Sequence, residues 1–78
     1  MKPFPRYVWK SRIGTITIRF LPEAGKWGIE IHGTVWDLGD TPEDCVSNVY
    51  SHVTCCSEWD DCPQDSPDSL ADWKIQQS

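Results

Sequence analysis

The residues best equipped for chemistry in this chain lie close together: His52, Cys55, Cys56 and Cys62, with Cys45 upstream. Zinc takes four thiolate or imidazole ligands in a tetrahedron, and structural sites usually draw them from two close pairs joined by a loop. His52 with Cys55 or Cys56 would supply one pair, because residues three and four apart share a helix face. Cys62 would join from the following loop. The second close pair is missing, and Cys55 and Cys56 diverge on a helix. The sequence therefore favours Cys45 as a small core residue and the others as packing thiols. A metal- or redox-responsive protein using His52, Cys55, Cys56 and Cys62 is the alternative reading.

Read as a nucleophile pair, the same residues would need a base within hydrogen-bond reach and a cleft for substrate. Closeness in sequence supplies neither. There is no glycine-rich phosphate loop and no G-x-S-x-G elbow. No catalytic residue and no cofactor are expected. Asp60, Asp61, Asp65 and Asp68 lack the alternation and the glycine of an EF-hand loop and read as turn formers and caps. His32, two residues from Glu30 on the polar face of a strand, reads as half of a solvated pair.

The elements that position these residues follow from hydrophobic period. Ile16, Ile18 and Phe20 alternate with Thr15, Thr17 and Arg19, the mark of a half-buried strand. Pro22 to Lys26 read as a turn. Trp27, Ile29 and Ile31 form the core face of a returning strand, and Trp36 and Leu38 share a face on a third. Residues 7–10 are a short edge strand or its lead-in. Thr41 then caps a helix with Pro42 at its first position and Glu43 and Asp44 in its first turn. Cys45, Val46, Val49, Tyr50 and Val53 recur at helical spacing, which predicts a helix over 42–54 packed on the sheet. Ser66-Pro67-Asp68-Ser69 looks like a second helix start that aims Leu70 and Trp73 inward.

Size and charge bound the function. One small domain of 78 residues is expected, with its sheet over 7–38 and an acidic segment over 55–75 folded back onto it. Five tryptophans supply much of the apolar area that so small a core needs. The net charge of −5 is polarised. Residues 1–36 carry six cations against two acids, and residues 37–78 carry Lys74 against ten acids. Nucleic-acid binding is not expected from scattered cations on an acidic chain. An acidic mimic of nucleic acid is a remote alternative. The first ten residues lack the apolar stretch of a signal peptide, no window reaches a membrane span, and four cysteines outside a secretory context fit a reducing cytoplasm.

The arrangement resembles a family of small bacterial proteins of unknown function. The resemblance rests on Ile16 and Ile18 in an alternating strand, Trp27 opening the next strand, Leu38-Gly39, Thr41-Pro42-Glu43, Trp59-Asp60 in an Asp-rich loop, and Leu70-Ala71-Asp72-Trp73. It covers about residues 12 to 74. The family often has glycines after its helix, where this chain has His52-Val53-Thr54-Cys55-Cys56. The resemblance implies an α+β fold of antiparallel sheet and one helix, and implies no activity.

The expected fold is α+β: a three-stranded antiparallel sheet, with room for a short fourth edge strand, one helix on one face and an irregular C-terminal segment folded back. The expected function is that of a small non-catalytic interaction or accessory module, a monomer or weak homodimer, with Tyr7, Trp9 and Trp59 as partner-binding candidates. Exposed aromatic residues mark interfaces, so this reading requires a contiguous patch that includes some of Phe4, Tyr7, Trp9 and Trp59.

Overall fold

The computed structural model describes residues 4–76; Lys2, counted above with the basic residues, lies outside them. The chain forms β1 (Arg6–Ser11), β2 (Gly14–Leu21), β3 (Lys26–Ile31), β4 (Thr34–Gly39), α1 (Pro42–Tyr50), α2 (Ser57–Asp60), a 3-10 turn (Leu70–Asp72) and β5 (Lys74–Gln76). All strand pairs are antiparallel, and the sheet order is β4-β3-β2-β1-β5. The fold is α+β as expected, but the sheet has five strands. The first stretch is a full strand, and three residues near the C-terminus add the fifth on its outer edge.

The alternation of β2 and β3 places Ile16, Ile18, Ile29 and Ile31 on one face, each with no exposed surface. Full burial of each aliphatic chain contributes about 1.5–3 kcal/mol. Cys45, Val46 and Val49 of α1 cover them, joined by Cys56, Trp59 and Trp73 from the C-terminal segment. The β2–β3 turn closes with the Gly25 N–H donating to Leu21 O at 2.8 Å, and Gly25 takes φ +64°. The β3–β4 hairpin turns on two residues, His32 and Gly33, both at positive φ. Two such residues make the type I′ turn that matches strand twist.

Two sequence expectations change here. First, α1 ends at Tyr50, not Thr54. His52 adopts φ +58°, its N–H donates to Val49 O, and the Val53 N–H donates to Asn48 O. These two bonds around a left-handed residue are the Schellman stop, usually built with glycine. Val53 therefore leaves the helix and is exposed, as is Tyr50. Second, Trp36 and Leu38, expected to share a face of the third strand, both lie on its exposed side and outside the core. Val35 pairs with Glu30 and Asp37 with Ile29, so Trp36 is the extra residue of a β-bulge. Both Trp36 and Leu38 are exposed, and the Trp36 indole N–H donates to Ile31 O at 3.2 Å. Asp37 turns to the helix side, where it accepts from Asn48 Nδ2 at 3.2 Å.

The start of α1 matches the expectation. Thr41 Oγ1 accepts from the Asp44 N–H at 3.1 Å, which satisfies one of the unpaired first-turn donors. The second expected helix is a single 3-10 turn capped by Ser69. It delivers Trp73 to the core and packs Leu70 against it.

Candidate interaction surface

The fold separates the thiol and imidazole groups. Cys45 is fully buried, and its Sγ–H donates to Trp27 O at 3.6 Å. Cys56 is buried at the N-cap of α2, Cys55 is exposed at φ +67°, and Cys62 is partly buried against the core. The His52 ring is committed elsewhere. It stacks on Trp59 with centroids 4.7 Å apart and planes 15° apart, and its Nδ1–H donates to Trp59 O at 3.0 Å. Among the described residues no three His, Cys, Asp or Glu side chains converge on a point where a metal could sit. His32 pairs with Glu58 at 3.1 Å, not with Glu30, which bonds Arg19 Nε at 2.7 Å.

Burial and the nearby charges of Asp37 and Asp44 push the Cys45 thiol up to about 12. At neutral pH its thiolate fraction is therefore roughly a thousandfold below that of an ordinary thiol. In native protein, iodoacetamide followed by peptide mass spectrometry should modify the exposed Cys55 first and reach Cys45 only after denaturant is added. Native labelling of Cys45 at the rate of Cys55 would contradict the burial.

The partner-binding candidates are also divided by the fold. Trp59 has no exposed surface, and its Nε1–H donates to Val49 O at 2.9 Å. Trp9 packs edge-on against Trp59 at 5.8 Å and lies 6.0 Å from Trp73. Trp59 offers no surface to a partner and Trp9 is half-buried against the core; both fasten the C-terminal segment to the sheet. Tyr7 points to the same face, at the other end of β1.

There it joins an aromatic corner. Phe4 lies on Phe20 with centroids 4.1 Å apart and edge-on to Trp27 at 5.8 Å. Trp27 in turn meets Phe20 at 5.7 Å and Tyr7 at 6.0 Å. Ile75, opposite Tyr7 on β5, is 62% exposed, and Phe4 is 55% exposed. The corner stays open because of the path of α1. The helix starts just after Gly39, which pairs with Trp27, and runs to Val49 beneath Trp59 and Trp9. It thus leaves the Tyr7–Phe20 end of the sheet uncovered. Phe20 and Trp27 were legible as neighbours across a short turn; Ile75 carried no signal, because nothing in the sequence marks β5.

Comparison with family models, with curated proteins and with solved structures returned no match. No helix among the described residues is long and apolar enough to cross a membrane.

Proposed function

We propose that this chain is a small non-catalytic interaction module that docks an apolar partner segment on the corner formed by Phe4, Tyr7, Phe20, Trp27 and Ile75. The observation that carries this reading is the contiguity of the rings with two half-exposed apolar residues at their rim. Aromatic anchors grouped in this way dominate the energetics of protein interfaces. The resemblance to small bacterial proteins supports a bacterial source. Four free cysteines support a reducing cytosol as the place of action.

Affinity capture from the source cell tests the reading. Phe4→Ser with Ile75→Ser should reduce the retained partner at least about tenfold, equivalent to roughly 1.4 kcal/mol. Its melting curve should stay near that of the parent, since both side chains are more than half exposed. Equal retention by parent and variant would contradict the proposal.

A further inference from the structure

The second face of the sheet, away from α1 and the tryptophan cluster, has its own chemistry. Strand register arranges it in rows: Lys74, Val8, Thr17, Glu30 and Val35 in one, Lys10 and Thr15 in the next, Gln76 and Arg6 on the other side. Arg19 and Lys26 share this face by alternation. Arg19 is bonded to Glu30, and Lys26 to Asp40 at 2.5 Å. That bond raises the pKa of Lys26 and lowers that of Asp40, helped by their opposite charges. Arg6, Lys10 and Lys74 are exposed and make no ion pair among the described residues. Between the two lysines lies a hollow of about 360 Å³, bounded by Val8, Trp9, Lys10, Thr15, Asp72 and Lys74.

We infer that this hollow is a second docking surface, for an extended acidic protein segment that seats an aliphatic side chain on Val8 and carboxylates on Lys10, Lys74 and Arg6. Three observations favour this occupant. Arg6, Val8 and Lys10 project from alternate positions of one strand, about 6.7 Å apart, which is the same-face spacing of an extended peptide. The apolar floor between the cations suits a side chain flanked by acids. Asp72 at the hollow and Glu30 in the adjoining row oppose a continuous phosphate backbone. The chain's acids lie chiefly in α1 and the C-terminal segment, so the unpaired cations are left facing solvent.

The probe is a fluorescently labelled peptide of alternating Glu and Val, followed by anisotropy. Saturable binding is expected, weakened at least about tenfold by Lys10→Glu with Lys74→Glu and by added salt. Arg12→Glu, an exposed charge in the β1–β2 turn that does not line the hollow, should leave binding unchanged, as should Phe4→Ser, which separates this surface from the aromatic corner. If the double variant loses its native melting transition, Lys10→Gln and Lys74→Gln carry the same comparison singly. Absence of saturable binding, or an equal loss with Arg12→Glu, would overturn the inference. Tighter binding of a single-stranded oligothymidylate of the same charge would overturn it in favour of nucleic acid.

Discussion

Trp59→Ala should lower the unfolding free energy by about 3–5 kcal/mol, the range for emptying a buried aromatic site. A core of this size supplies only roughly 3–5 kcal/mol in total, so the variant should be largely unfolded at room temperature. Three losses combine. The indole has no exposed surface, its N–H is the partner of Val49 O in the last turn of α1, and it is the plate on which both His52 and Trp9 pack. Urea titration followed by far-UV circular dichroism would measure the change. Trp73→Phe is the contrasting variant. Its Nε1 is buried with no hydrogen-bond partner, so that change removes an unsatisfied donor and should cost far less. A Trp59→Ala midpoint close to that of the parent would contradict the assignment of Trp59 to the core.

Asp60→Ala should cost about 2–3 kcal/mol, the scale of hydrogen bonds to a charged acceptor whose donors are then left unpaired. The Asp60 carboxylate accepts from the Thr54 N–H at 3.0 Å and from the Thr54 hydroxyl at 2.9 Å. Thr54 is fully buried, and its Oγ1 accepts from the Cys56 N–H at 3.3 Å. The three residues thus hold the loop between α1 and α2. Without the carboxylate, two donors are stranded with no access to water. The melting temperature should fall by about 10–20 °C for a domain of this length. Asp60→Asn keeps one acceptor oxygen and should lose less than half as much. An unchanged melting temperature for the alanine variant would show that the loop does not depend on this bond.

Both predictions fall in the segment least readable from sequence. The alternation of Ile16, Ile18, Ile29 and Ile31 and the Thr41 cap were legible because each is a local pattern with a physical period or a fixed hydrogen bond. The end of α1 was not. Hydrophobic spacing runs on to Val53, and the residue that stops the helix is a histidine in a conformation normally left to glycine. Stacking on Trp59 and the bond from Nδ1–H compensate it there, and both are tertiary contacts. The edge strand β5 was illegible for a similar reason. Lys74, Ile75 and Gln76 are all exposed and form a strand only through pairing with β1. The bulge at Trp36 was not legible either, because one inserted residue in a ladder leaves no mark in the alternation of the sequence.

The candidate surface was half legible. Phe4 and Tyr7 belonged to the aromatic set from which an exposed patch was expected, and both lie at the open corner. Trp9 and Trp59 belonged to the same set and turned inward. Composition does not distinguish an aromatic ring that covers the core from one that extends it. The path of α1 over the sheet decides between them, and that path depends on where Gly39 leaves β4. The thiols followed the same logic: His52 and Cys55 are close in chain order, but the helix stop between them sends one ring to Trp59 and the other side chain to solvent.

The aromatic corner is tested most directly by site-specific photocrosslinking. A benzoylphenylalanine placed at Phe4, and in a parallel sample at the exposed helix position Ser47, would be irradiated in the source cell, and the adducts resolved by mass spectrometry. The corner predicts one dominant protein adduct from position 4, abolished by Ile75→Ser, and none of that identity from position 47. The same adducts from both positions, or none from position 4, would contradict a docking role for Phe4 and its neighbours.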